Sequence, residues 1–200
     1  MKRNKSDLSQ QDEPIEIALV GDLSDHEGDL SEKLLGVGVG QECTLYFDSP
    51  GGSPYCGISL ATLIVVRRLR ATGIVTGECS SAALWPLAAC TRRCVTPYSV
   101  LLFHPMKSQS DEHVSLAEAA EWARHFAQLE VEMDKLLAAL LGMPDEKLAT
   151  WMSPGRYVTG REFAAAGMAE LIDLTALVRQ PDNGAPPDNS RSVKRAKTHR

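Results

Sequence analysis

The sequence lacks any apolar run of the roughly 18 to 20 residues that a transmembrane helix needs. Its first 13 residues are polar and contain no apolar segment of the kind that a secretory signal requires, so we expect a cytoplasmic protein. Cysteine pairs with CxxC spacing are also missing. The five cysteines are an odd number and most lie in apolar stretches, which predicts that they pack in the core rather than bind a metal.

Positive charge is scarce outside the carboxyl-terminal end. The formal net charge of the 200 residues is −5, and the five basic residues that follow Asn189 have no acidic residues among them. Removing these five charges leaves −10 for the rest of the chain, which argues against nucleic-acid binding by the folded part. We expect disorder in a polar leader (1–13) and a basic tail (179–200), around one domain at 14–178.

Strand and helix patterns alternate through the first half of that domain. The segments IEIALVG (15–21), CTLYFDS (43–49) and GIVTGEC (73–79) read as strands, and GISLATLIVVRRLRA (57–71) reads as a helix. A small-residue run that begins at Ser80 predicts another helix after the third strand. This βαβα order indicates an α/β fold with parallel strands and right-handed crossovers.

The second half contains one dominant helix. RCVTPYSVLLFHP (93–105) predicts two extended segments around a proline turn, and apolar residues at mostly three- and four-residue spacing predict a long amphipathic helix from Val114 to Leu141. GMP at 142–144 supplies a glycine end and a proline start for a short helix. Thr159 with Glu162 predicts a capping box, and ELIDL (170–174) predicts a last strand.

Three groups at strand ends could carry chemistry. The glycine pair in DSPGGSPYCG (48–57) could leave backbone amides free for an oxyanion, or it could be only a tight turn; without a lysine it is not a phosphate loop. Ser80 and Ser81 stand at the next strand-to-helix junction, where a serine is often just a helix cap. His104 ends SVLLFH. Serine, histidine and a glycine turn at consecutive strand ends together favour nucleophilic catalysis.

The order FDSPGG, GECSSAALWPLAAC, SVLLFHP, long helix, MSPGRYVTGREFAAAGMAELID resembles the proteolytic subunit of the Clp protease, a serine peptidase. The resemblance covers roughly Pro14 to Leu174. It implies a Clp-protease and crotonase-like α/β fold of repeated β-β-α units, with a long handle helix that interlocks two rings of an oligomer. The handle corresponds to Val114–Leu141.

Matched residue by residue, the resemblance places the family's nucleophile on Ser81 and its general base on His104. The family's oxyanion hole falls on the backbone amides of Gly52 and Ala82. These assignments imply a serine endopeptidase that cleaves peptides or unfolded proteins inside an oligomeric chamber, without a cofactor or metal.

The sequence departs from the family at two places. Gly155 occupies the position of the family's catalytic aspartate, so Asp111, Glu112 or a backbone carbonyl remain as candidates to orient His104. The family also has an amino-terminal segment used with its unfoldase ring, whereas here a short polar leader precedes Pro14. The resemblance therefore does not by itself imply that an AAA+ unfoldase docks on this protein.

Two alternative functions remain at this stage. The first is a weakly active or inactive ring subunit that joins a paralogous subunit in a mixed assembly, which Gly155 favours. The second is a crotonase-type acyl-CoA enzyme, because crotonases resemble the Clp subunit in fold and also use two backbone amides as an oxyanion hole. The matching turns lack the paired acidic residues of that chemistry. We expect neither membrane nor nucleic-acid partners.

Overall fold

The structure, a computed structural model, describes residues 15–107 and 114–179. The predicted disordered leader, the tail beyond Arg179, and the two candidate acids Asp111 and Glu112 lie outside the described residues. The strands are β1 (Ile15–Asp22), β2 (Glu42–Gly51), β3 (Arg70–Cys79), β4 (Arg92–Val95), β5 (Val100–Phe103), β6 (Arg156–Thr159) and β7 (Glu170–Leu171). The helices are α1 (Glu27–Gly36), α2 (Pro54–Val66), α3 (Leu84–Ala89), α4 (Leu116–Leu141), α5 (Asp145–Met152), α6 (Gly160–Ala165) and α7 (Leu174–Arg179).

A parallel sheet with the order β1-β2-β3-β4-β7 forms the centre of the fold, which confirms the predicted α/β class. At its carboxyl edge β3 also pairs with β5 at Glu78 and Val100, and β5 continues as an antiparallel pair with β6. Strand β3 therefore pairs with β4 over Thr72–Val75 and with β5 at Glu78, just before it ends at Cys79. This change of partner brings the ends of β2, β3 and β5 close together.

The core is built from the inward faces of these strands and the helices that cover them. Phe47 on β2, Phe103 on β5 and Phe163 on α6 are fully buried, and Phe103 packs edge-on against Trp151 with ring centroids 5.0 Å apart. Strand positions alternate between buried and exposed along β1 and β2, as expected for a half-buried sheet face. The core thus fixes the strand ends on which the candidate site residues lie.

Helix α2 and strand β3 have boundaries other than those predicted from the sequence, and one helix was not predicted. Helix α2 begins at Pro54, because the Ser53 hydroxyl caps it by accepting from the Tyr55 amide, and it ends at Val66. Arg68 has φ +53°, which turns the chain out of the helix, so Arg70 and Ala71 belong to β3 rather than to the helix predicted over 57–71. Helix α1 was not predicted, since only its Leu30 and Leu34 are buried in an otherwise polar segment.

The last predicted strand is shorter than expected. Only Glu170 and Leu171 pair with β4. The Asp173 carboxylate then accepts hydrogen bonds from the amides of Thr175 (2.9 Å) and Ala176 (3.2 Å), which starts α7 and ends the extended conformation.

The long helix α4 is confirmed, together with its predicted glycine end. Ser115 and Glu118 form a capping box at its start, and Gly142 ends it with φ +67°. The capping box predicted for Thr159 and Glu162 is also formed, at α6. Within residues 15–107 and 114–179, no helix combines the length and apolar character that crossing a bilayer demands.

Candidate active site

Ser81 stands at a sharp turn between β3 and α3. Its φ is +53°, a left-handed conformation that is uncommon for a residue with a side chain and that often marks functional sites. Gly51 at the end of β2 makes the turn possible, because a Cβ on it would come within 2.7 Å of the Ser81 Cβ and the Ser80 carbonyl oxygen. The glycine pair thus packs directly against the serine turn.

Ser80, the other candidate at this junction, is buried and supports the turn instead of facing the site. Its hydroxyl donates to Glu78 Oε1 (2.6 Å) and accepts from the Leu102 amide on β5 (3.2 Å), while its own amide donates to the Ser49 carbonyl (3.0 Å). These bonds join β2, β3 and β5 immediately before Ser81. Ser80 is therefore a positioning residue for Ser81.

Two backbone amides next to Ser81 are available to a ligand. Within the described chain, neither the Gly52 amide nor the Ala82 amide donates a hydrogen bond to another residue. Buried or half-buried amides normally have a partner, so a free pair beside a serine hydroxyl is suited to receive an oxyanion. These are the two amides that the sequence comparison with the family predicted.

His104 follows β5, and its ring is held by its own neighbour. Nδ1 lies 2.6 Å from the Pro105 carbonyl oxygen. A carbonyl can only accept, so Nδ1 carries the proton in this contact, and Nε2 of the neutral ring is left with a lone pair. Of the three groups proposed from the sequence to orient His104, the backbone carbonyl is the one found within the described residues.

Gly155 lies directly beside His104. A Cβ on Gly155 would be 3.1 Å from both the His104 Cβ and the Phe103 carbonyl oxygen, and the residue has φ +108°. Position 155 precedes β6, whose Arg156 pairs with Phe103. The family's aspartate position is thus close to the histidine in space, but the backbone there is shaped for glycine.

Ser81, His104, Gly52 and Ala82 all line one cavity of about 190 Å³, which we call the active-site cavity. The structure therefore brings together the four residues that the sequence singled out. In the described part of the chain no hydrogen bond joins the Ser81 hydroxyl to the His104 ring. Such contacts are often long in ligand-free enzymes and tighten when substrate binds.

Among the described residues, the cavity wall also contains three charged side chains that no sequence motif indicated. Glu130 and Asp134 lie one turn apart on α4, and Lys107 follows His104 on the chain. Glu130 Oε1 accepts from the Met106 amide (2.6 Å) and so ties the segment after His104 to α4. In the sequence, Glu130 and Asp134 look like residues of an ordinary solvent-exposed helix face. Only the packing of α4 brings that face next to Ser81.

The cysteines behave as core residues, as predicted. All five are buried, and burial raises the pKa of each thiol; for Cys56 the value is about 11. Thiols of this kind stay protonated at neutral pH and are poor nucleophiles. Among residues 15–107 and 114–179, no group of His, Cys, Asp and Glu side chains is arranged to hold a metal ion.

A family model described as Clp protease matches residues 25–174. The chain belongs to the Clp protease family. Among curated Clp relatives, "ATP-dependent Clp protease proteolytic subunit 1" of Mycobacterium leprae is 29% identical over 141 residues, which is 69% of each chain. The "ATP-dependent Clp protease proteolytic subunit" of Oltmannsiellopsis viridis is 24% identical and covers 74% of this chain and 80% of its own.

The Clp fold is also found by structure comparison. An asparagine-to-aspartate mutant of ClpP1 from Listeria monocytogenes superposes with a TM-score of 0.69 at 18% identity, covering 79% of this chain and 91% of that one. The resemblance stated from the sequence is thereby confirmed at the level of family and fold. The protein is a divergent Clp-type serine peptidase, and the crotonase-type alternative is not favoured.

Proposed function

We propose that the protein hydrolyses peptide bonds with Ser81 as nucleophile, His104 as general base, and the amides of Gly52 and Ala82 as the oxyanion hole. The observation that carries this assignment is that all four line the same cavity and that, among the described residues, neither amide has a hydrogen-bond acceptor. His104 Nε2 takes the Ser81 proton as the hydroxyl oxygen attacks the peptide carbonyl. The two amides then stabilise the negative charge that develops on the carbonyl oxygen.

The Pro105 carbonyl takes over one of the two tasks of the missing acid. By accepting from Nδ1 it fixes the ring tautomer and keeps the Nε2 lone pair available to Ser81. It cannot perform the other task, because a neutral carbonyl stabilises the imidazolium less than a carboxylate does. In the serine-protease template, neutralising the acid lowers turnover by about 10⁴. We therefore expect slow peptidase turnover, reduced by up to about that factor.

The experiment that tests this function is labelling by a fluorophosphonate probe, followed by intact-mass measurement of wild type, Ser81→Ala and Ser31→Ala. Ser31 lies on α1 outside the active-site cavity and serves as the matched serine control. We expect one adduct in wild type and in Ser31→Ala and none in Ser81→Ala. Adduct formation that survives in Ser81→Ala would contradict the assignment.

Gly155 fits the alternative of a non-catalytic ring subunit, which the family match does not favour. The same labelling experiment separates the two, provided that the oligomeric state is measured on the same sample. An assembled protein without an adduct supports the structural subunit. An adduct that is lost in Ser81→Ala supports the peptidase.

Family membership supports a proposal for the substrate and partners, because members of the Clp protease family form rings that work with Clp ATPases. We infer that this chain assembles into rings in the cytoplasm and cleaves peptides or unfolded proteins inside the resulting chamber. An AAA+ unfoldase or a paralogous subunit is the expected partner class. Pull-down from native cells with mass spectrometry would test it: recovery of neither an AAA+ protein nor a related subunit would contradict the partner assignment.

A further inference from the structure

The active-site cavity has a carboxylate on its wall that peptide hydrolysis does not require. Asp134 is partly buried, and within the described chain no hydrogen bond engages its carboxylate. The ion pairs that α4 forms among described residues are Glu121 with Arg124 and Glu132 with Lys135, and neither includes Asp134. Glu130 differs, because it is already bonded to the Met106 amide. Asp134 is thus the carboxylate left for a ligand.

The rest of the wall is mostly apolar. It contains the side chains of Pro54, Leu84, Trp85, Met133 and Met152. Such walls pack well against the methylene stem of a long side chain, and a carboxylate can then receive its charged end. A purely apolar side chain would instead cover the Asp134 carboxylate without giving it a partner, which is unfavourable.

The position of Asp134 relative to Ser81 is fixed by packing. The indole Nε1 of Trp85, on the helix that follows Ser81, donates to the Met133 carbonyl oxygen at 3.0 Å. Both groups are buried, so α3 and this turn of α4 are held together. The carboxylate therefore belongs to a preformed wall.

We propose that Asp134 makes the active-site cavity select a lysine or arginine side chain on the residue whose carbonyl Ser81 attacks. This inference rests on the proposed function, because that function places the carbonyl oxygen at the amides of Gly52 and Ala82. The side chain of the same residue branches one bond from that carbonyl carbon and so falls in the same cavity. Counted over the described residues, the cavity carries two carboxylates and one ammonium, from Lys107, so its charge favours a cation.

The preference depends on pH through Asp134. Burial and the nearby Glu130 raise the pKa of Asp134 to about 6. In the part of the chain that the structure describes, the charged or titratable groups that face or flank it are Glu130, Lys135, His104, Lys107 and Asp145. Because Asp134 is ionised above its pKa, the preference for a cation is full at pH 8 and is lost as the pH falls through 6.

The test uses two fluorogenic peptides that differ only in lysine or norleucine before the scissile bond. The measured quantity is the ratio of their kcat/KM values in wild type, Asp134→Asn and Glu132→Gln. Asp134→Asn keeps the shape and removes the charge, while Glu132→Gln removes one charge from the exposed side of the same helix. We expect wild type and Glu132→Gln to prefer lysine by about ten- to a hundredfold and Asp134→Asn to lose most of that preference.

A pH series on the same ratio adds a second readout. Any effect of pH on the catalytic step that is common to both peptides cancels in the ratio. In wild type the lysine preference should fall between pH 8 and pH 5, and in Asp134→Asn it should stay nearly constant. A wild-type ratio near one at pH 8, or an unchanged preference in Asp134→Asn, would overturn the proposal.

Failure of the proposed function gives a different result. If wild type cleaves neither peptide, the assignment of Ser81 fails. Fluorescence anisotropy with the same peptides then tests whether Asp134 selects a basic side chain. In Ser81→Ala we expect tighter binding of the lysine peptide, by about tenfold or more, and loss of this difference when Asp134→Asn is added. Equal binding of both peptides by Ser81→Ala would overturn the specificity proposal independently of catalysis.

Discussion

At the scale of single residues, His104 and Gly155 explain why this site differs from an ordinary serine-protease triad. Nδ1 of His104 already donates to the Pro105 carbonyl, so an acid at position 155 would have to displace that bond before it could orient the ring. The backbone at Gly155, with φ +108°, also disfavours any side chain. The absence of an acid at position 155 is therefore a property of the backbone conformation there as well as of the residue type.

We predict that Gly155→Asp does not restore a fast enzyme. The new Cβ meets the Phe103 carbonyl oxygen and the His104 Cβ, both at 3.1 Å, and the strained φ adds to the cost. We expect a loss of about 1 to 3 kcal/mol in the free energy of unfolding, measured by urea denaturation. Gly155→Ala is the control, since it introduces the same Cβ without the carboxylate. Full stability of Gly155→Asp together with a large gain in kcat would show this view to be wrong.

At the scale of elements, the close approach of α2 to the Ser81 turn sets the position of Ala82, whose amide we propose for the oxyanion hole. Gly57 on α2 packs so tightly on the turn that a Cβ there would overlap the Ala82 carbonyl oxygen and stand 3.1 Å from the Ala82 Cβ. The contacting atoms on Ala82 include backbone, which cannot swing aside as a flexible side chain does. The Ala82 amide therefore owes its position to a helix that contributes no catalytic side chain.

Gly57→Ala adds only one methyl group, but we expect it to lower peptidase activity strongly. We expect a loss of about 1 to 3 kcal/mol in stability from overpacking, and a fall in kcat of at least tenfold as Ala82 is displaced. Gly28→Ala on α1 is the matched control: a Cβ there meets open space, and alanine favours a helix by about 0.5 to 1 kcal/mol. Peptidase assays and denaturation on both variants check this. Equal behaviour of the two variants would argue against the close-packing explanation.

At the scale of the whole molecule, α4 extends beyond the core of one subunit. It has 26 residues, and none before Met133 is buried. At about 1.5 Å per residue its full length is close to 40 Å. Leu116, Trp122 and Val131 are exposed along it, with exposed fractions of 92%, 39% and 51%. A helix with this apolar surface is suited to contact another subunit, as the family's handle does.

We predict that Trp122→Glu weakens ring stacking without unfolding the subunit. A carboxylate placed in an apolar contact between subunits would have to be desolvated, whereas the same residue is partly exposed in the single chain. Light scattering coupled to size exclusion should show a mass about half that of wild type, as for one ring instead of two. Gln128→Glu adds the same charge at an exposed polar position of α4 and should leave the mass unchanged. An unchanged mass for Trp122→Glu would rule out this contact.

Much of the fold could be predicted from local patterns. Alternating apolar residues predicted β1, β2 and β3, helical spacing predicted α4, and the predicted capping residues Gly142 and Thr159 act between groups only three or four residues apart. Because both partners of such an interaction lie in one short segment, the interaction can be predicted from the sequence of that segment. Helix α1 was not predicted, because its sequence resembles that of a polar loop. Only tertiary packing buries its two leucines.

The sequence by itself determined which residues could form the site: Ser81, His104 and the glycine turn, with glycine at position 155. Only the tertiary structure decided how they meet. Gly52, Ser81, His104 and Asp134 are each more than twenty residues apart along the chain, and the pairing of β3 with both β4 and β5 together with the packing of α4 on α3 brings them to one cavity. The packing of Gly51 against the Ser81 turn and the partial burial of Asp134 arise from that long-range packing, which no local pattern records.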